Sequence, residues 1–111
     1  MSTTVKVLVP SKLVENAQTT QYTAVLCTSI IDKCTVTNTS AGNVAFSANL
    51  VTAGGSAGAS NLVIKPRAIT PGETYPCPEL VGHALMVGDH LSTLASVVST
   101  LVMRTSGREI T

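Results

Sequence analysis

Apolar and polar positions alternate with a period of two along most of the chain, the spacing that sends successive side chains to opposite faces of an extended backbone. Val5, Val7 and Val9 alternate with Lys6 and Leu8, and Ile30, Asp32, Cys34 and Val36 alternate with Ile31, Lys33, Thr35 and Thr37. In the run Val44 to Val51, Val44, Phe46, Ala48 and Leu50 share one side while Ala45, Ser47, Asn49 and Val51 share the other. One side of that run is therefore expected in the core, with Phe46 its centre, and the other is mixed. The link Asn38-Thr39-Ser40-Ala41-Gly42-Asn43 between these last two runs predicts a β-hairpin.

Downstream, Ala53 to Asn61 is rich in glycine and small residues and reads as a mobile surface loop. A short strand, Leu62 to Lys65, is expected to stop at Pro66, and Pro71-Gly72 has the residues of a type II turn. Pro76 and Pro78 push their segment toward a sheet edge or an irregular crossing. Glu79 to Leu85 has room for one helical turn, but Gly82 and the Gly88-Asp89 turn limit anything longer. Two last strands are predicted, His90 to Ala95 and Val98 to Thr105, with Gly107 marking a bulge or turn after them. About seven or eight short strands argue for an all-β domain, an antiparallel β-sandwich with jelly-roll-like wrapping. Residues 1–20 are looser and are expected to form an extended N-terminal arm or a first strand, leaving 21–111 as the sandwich domain.

Composition sharpens this picture. The chain has 111 residues, 44% hydrophobic and 12% charged, which is one small domain. About a quarter is Ser or Thr, and strong helix formers are few, which favours strands. Tyr22, Phe46 and Tyr75 are its only aromatics, so the core must be built from Val, Leu, Ile and Ala.

The net charge is +1 with seven scattered Lys and Arg, so no cationic cluster is available to displace phosphate counterions, and neither a nucleic-acid partner nor a membrane surface is expected. Apolar runs such as Ala24-Val25-Leu26-Cys27 fall far short of the roughly 20 residues of a spanning helix. The opening residues lack a secretory pattern, so folding in a reducing cytosol is expected, with Cys27, Cys34 and Cys77 as buried free thiols.

Candidate chemistry is sparse. Cys27, Cys34, Cys77, His83 and His90 show no metal-ligand spacing, and no cofactor is expected. Asp89-His90 supplies two groups of a hydrolytic triad, but neighbours on a strand point to opposite faces and there is no nucleophile elbow, so an enzyme is not expected. Gly54 to Gly58 lacks the Lys-Ser/Thr ending of a phosphate loop, and Asn38-Thr39-Ser40 reads as turn chemistry rather than a glycan acceptor. Asp32, in an apolar row, needs a partner, for which Arg104 on the Val102 row is the candidate.

Several segments together resemble small β-sandwich virion proteins of tailed bacteriophages: Asn49 to Asn61, Pro71-Gly72-Glu73-Thr74-Tyr75, Leu80-Val81-Gly82-His83, Gly88-Asp89 and Ser106 to Thr111. The likeness runs from about Gln21 to the end and is greatest to the capsid staple, cement or decoration proteins of podovirus heads. It implies a noncatalytic virion protein, assembled in the host cytoplasm on the capsid exterior. There it would clamp neighbouring copies of the major capsid protein and self-associate as a dimer or trimer. A fibre, collar or tail module touching the host surface, with Gly54 to Gly58 in the contact, is the alternative. The arm is the expected clasp on the strength of its own valine row, through Val5, Lys6, Val7, Leu8, Val9 and Lys12.

Overall fold

In the computed structural model, which describes residues 1–111, the alternating runs become nine strands: β1 Thr3–Leu13, β2 Thr19–Thr23, β3 Thr28–Asn38, β4 Val44–Val51, β5 Leu62–Ile69, β6 Thr74–Tyr75, β7 Ala84–Leu85, β8 His90–Ala95 and β9 Leu101–Ile110. The only helical element is a single 3-10 turn at Ala59–Asn61. One sheet runs β1-β9-β3-β6, with β7 also on β3, and the other runs β2-β8-β4-β5. All pairings are antiparallel. The two sheets pack face to face on Phe46, Ile31, Ile64, Leu91 and Met103, each at most 2% exposed, so the expected sandwich and the expected place of Phe46 both hold.

The pairings are nested. β4 pairs β5, β3 pairs β6, β2 pairs β8 and β1 pairs β9, as in a long hairpin rolled up on itself, which is the jelly-roll wrapping. This corrects the expected hairpin of β3 with β4, since the two strands lie in different sheets. Period two shows only that each strand has a buried face; facing one another across the core satisfies it as well as pairing side by side. The link 38–43 is a corner between the sheets, built on the fully buried Asn38. Its Nδ2 donates to the carbonyls of Gly42 and Ile69, both at 2.8 Å, and its Oδ1 accepts from the amide and hydroxyl of Ser40 at 2.9 and 2.7 Å.

Residues 3–13 are a sheet strand rather than a free arm. β1 pairs β9 from Thr3↔Ile110 to Leu13↔Val102, and Leu8, Val9 and Val14 are buried. The register shifts between Val7 and Val9, so both Leu8 and Val9 face the interior despite being adjacent. On the other side of β9, Ile31 is opposite Gly107 and Lys33 opposite Ser106, which leaves Asp32 as the extra residue of a second bulge. Gly107 lies where the two irregularities meet: a Cβ there would sit 2.1 Å from the Ile30 carbonyl oxygen and 2.9 Å from Leu8 Cδ1. Only glycine leaves room there for the Ile30 backbone and the Leu8 side chain. Gly107 itself stays in the ladder of β9, opposite Lys6 and Ile31, so the bulge or turn expected there is corrected: the irregularities lie on the two strands flanking it.

Two further expectations change. β5 does not stop at Pro66 but runs through it, because β5 is an edge strand and its register against β4 slips between Ile64 and Arg67, a place where a missing amide costs little. β9 starts at Leu101 rather than Val98 and continues to Ile110. The glycine-rich segment after β4 is exposed but tied down by Asn61, whose Oδ1 accepts from the Gly58 amide at 3.0 Å and from Asn49 Nδ2 at 2.8 Å.

Candidate interaction surface

The first half of β1 forms an open sheet edge. Ser2 and Thr111 exchange both backbone hydrogen bonds, at 3.0 and 2.9 Å. In an antiparallel pair such positions alternate with ones whose N–H and C=O point away from the partner strand. Register therefore turns the amides and carbonyls of Thr3, Val5 and Val7 outward, along the free side of the sheet. Val5 is 82% exposed and Val7 37%.

Lys6 turns the other way, its Nζ lying 3.1 Å from Glu109 Oε1. The same carboxylate accepts from the Tyr22 hydroxyl, which also meets Ser29 Oγ, so β2 of one sheet is tied to β3 and β9 of the other directly behind the open edge. The Tyr22 hydroxyl, and then Lys6, hold the Glu109 carboxyl below its ordinary range, while burial first and Glu109 second push the Tyr22 phenol up.

The expected contact residues separate accordingly. Val5 and Val7 stand on the open edge, and Lys6 braces it. Leu8 at 6% and Val9 at 1% exposure belong to the core and are removed from any contact surface. Lys12 lies past the bulge and pairs with Glu15 at 2.9 Å.

The other edges are guarded, short or irregular. β5 carries Lys65, Pro66 and Arg67 along its outer border, with the Arg67 guanidinium 4.3 Å from the Tyr75 ring centre. A proline, two charges and a bulge are recognised guards against strand pairing. β6 and β7 have two residues each, and β2 has five with a register slip.

Two uncharged features lie elsewhere. A shallow recess of about 280 Å³ on the outside of the second sheet is lined by Asn16, Ala45, Ser47, Pro66, Leu94 and Ser96 among others. At one tip of the sandwich, Val25, Leu26, Met86 and Val87 are all more than half exposed. Their loops are joined through Ala24 N to Asp89 O at 3.0 Å and Gly88 N to Ala24 O at 2.8 Å. Leu26 is held at a φ of 53°, a left-handed conformation uncommon for leucine. Nothing in the residue pattern marks this tip, since Val25 and Leu26 read as part of an ordinary apolar run.

Of the hydrolytic candidates, His83 and Asp89 line one recess together with Thr52 and Ser60. Both carboxylate oxygens of Asp89 accept from backbone, Oδ1 from Ala53 N at 3.0 Å and Oδ2 from Met86 N at 2.9 Å, so Asp89 organises loops rather than orienting a histidine. Asp32 finds a partner, but it is Arg108, whose guanidinium binds both carboxylate oxygens at 2.9–3.3 Å; Arg104 instead reaches Ser11. The bulge at Asp32 takes it off the Cys34 row and out to the surface, which is why the expected Arg104 pairing fails. The three thiols are buried and unpaired by disulfides. Comparison of the chain with protein-family models, with curated proteins and with solved structures finds no match.

Proposed function

We propose that this chain is a noncatalytic coat protein of a tailed-bacteriophage head, sitting on the outside of the shell and clamping neighbouring major capsid proteins. The observation that carries the reading is the open edge of β1, with three outward sets of backbone donors and acceptors at Thr3, Val5 and Val7, on a sandwich whose other edges are guarded or short. A strand from a neighbour adds to such an edge through main-chain hydrogen bonds. Weak contacts of that kind, repeated over a symmetric shell, sum to a firm hold. The wrapping supports the reading by analogy, since jelly rolls recur in viral coats, and so does the resemblance of the segments from Asn49 onward. With 12% charged residues, the chain has few charges to desolvate where it is covered.

The test is a comparison of heads carrying the native chain with heads offered the Val5→Pro variant. Proline removes one outward amide and leaves the ladder to β9 intact, so the isolated variant should lose less than about 1 kcal/mol of stability. It should fail to load onto heads, which then break at lower temperature. Equal loading and equal survival would defeat the edge as the contact, and binding to host cells but not to heads would favour the fibre, collar or tail reading.

A further inference from the structure

The ladder of the first sheet sets Thr3 opposite Ile110 and Ile110 opposite Thr28, so the open edge of β1 starts in the same row as the turn that carries Val25 and Leu26. Neighbouring strands lie about 4.8 Å apart, which puts Thr3 roughly 10 Å from Thr28 across β9. Leu85, opposite Ser29, leads into Met86 and Val87 at that same end. Val25, Leu26, Met86 and Val87 are between 58% and 83% exposed, and no Lys, Arg, Asp or Glu occurs in residues 24–28, 51–60 or 84–88. Open edge and apolar tip share one end of the molecule.

The tip is stiff. Asp89 accepts from Ala53 N and Met86 N through its carboxylate, at 3.0 and 2.9 Å, and from Ala24 N through its backbone carbonyl at 3.0 Å, so one residue fastens three loops. Gly88, at a φ of 89°, closes the joint, because a Cβ there would sit 2.7 Å from Ala53 Cβ. Leu26 is held left-handed at a φ of 53° with its side chain in water. Neither the strained backbone nor the exposed side chain helps the isolated fold, and such positions cluster where a partner binds.

We propose that this tip is a second contact with the major capsid protein, seated in an apolar hollow of the same subunit whose strand adds to β1; the inference rests on the capsid reading above. Size requires a second contact: Thr3 to Val7 is five residues, whereas a stable interface takes roughly 20–30 residues a side, and the tip adjoins that edge. An uncharged tip selects an uncharged hollow, since a charge covered by it would find no partner. A rigid apolar knob also loses little freedom when a hollow closes over it. A bilayer is the poorer occupant, because so small an apolar surface relies on cations beside it and these loops have none.

The test titrates the native chain, Leu26→Gly and Met86→Gln onto heads stripped of the chain, and sediments the native chain and Leu26→Gly with vesicles of phosphatidylethanolamine and phosphatidylglycerol. Leu26→Gly removes the side chain and relieves the left-handed strain, so its Tm should equal or exceed that of the native chain while its affinity for heads falls about tenfold or more. Met86→Gln, which leaves the backbone unaltered, should weaken loading in the same direction at an unchanged Tm. Loading of both variants at native affinity would overturn the tip contact and leave the β1 contact to the Val5→Pro comparison. A native chain that does not load at all would defeat the capsid reading and the tip's partner together. Sedimentation of the native chain with the vesicles, lost in Leu26→Gly, would overturn the assignment in favour of a membrane.

Discussion

Two outer stretches, the first half of β1 and the strand β5, meet the same physical problem with opposite solutions; beyond Val7, β1 carries Pro10 and two register shifts of its own. Each ends a sheet and leaves backbone groups without a ladder partner. β5 blocks addition with Lys65, Pro66 and Arg67 and with a slip in register. β1 from Thr3 to Val7 has no slip and no proline, and its one charge, the half-exposed Lys6, is paired with Glu109. An edge guarded on one side of a molecule makes an open edge on the other informative: the chain has the means to close an edge and leaves this one available.

The largest expected effect lies under the guarded strand. Phe46 on β4 is opposite Arg67 of β5 and is fully buried, so Phe46→Ala should cost about 3–5 kcal/mol in urea unfolding. A loss below about 1 kcal/mol would show that the ring does not anchor that side.

Next in size is the brace behind the open strand. Tyr22→Phe removes the hydroxyl that meets Glu109 and Ser29 and should cost about 1.5–3 kcal/mol, with faster amide exchange at Thr4 and Lys6 and no change along β5. The effect depends on pH in two directions. The folded pKa of Glu109 lies below its ordinary 4.5, so its contribution is present above that value and is lost as pH falls through the folded value. The folded pKa of Tyr22 lies above its ordinary 10.0, so its contribution is present below pH 10.0 and is lost as pH rises beyond it. Native protein should therefore lose stability on both limbs, and Tyr22→Phe should flatten both; unchanged limbs would separate the brace from the edge.

The smallest effect on stability, and the sharpest on the comparison, comes from opening the guarded strand. Lys65→Thr with Pro66→Val, in a Val5→Pro background, should change stability by less than about 1 kcal/mol yet produce concentration-dependent oligomers in size-exclusion chromatography. Persistence as a monomer would mean that Lys65 and Pro66 are not what guards β5.

Much of this contrast was legible in the residues. Period two located the strands, His90 to Ala95 with its observed bounds, and Phe46 as a core residue, because each is a local property of a strand with one buried face. Val5, Val7 and Val9 read as one contact row, and the structure splits it, with Val5 exposed and Val9 in the core. The inward turn of Leu8 and Val9 was not legible, because it follows from a slip against β9, a strand far away in the chain. Asp32 escaped in the same way: its row breaks at a bulge set by the contact of Gly107 with Ile30. The β3–β4 link looked like a hairpin because nothing local distinguishes a tight return from a corner; the buried Asn38 that makes it a corner has its decisive acceptor at Ile69.

The nested wrapping also sets a timetable for folding. β9 lies between β1 and β3, so the first of these sheets has no continuous ladder until Leu101 to Ile110 has been synthesised, whereas β4 and β5 can zip together while the ribosome is still at work. Contacts of such long sequence separation are slow to form, commonly on the order of milliseconds to seconds. For most of translation, then, β1 is a nascent strand with both borders bare, and it is during that interval that a chaperone or a sister chain has its best opportunity to intercept it.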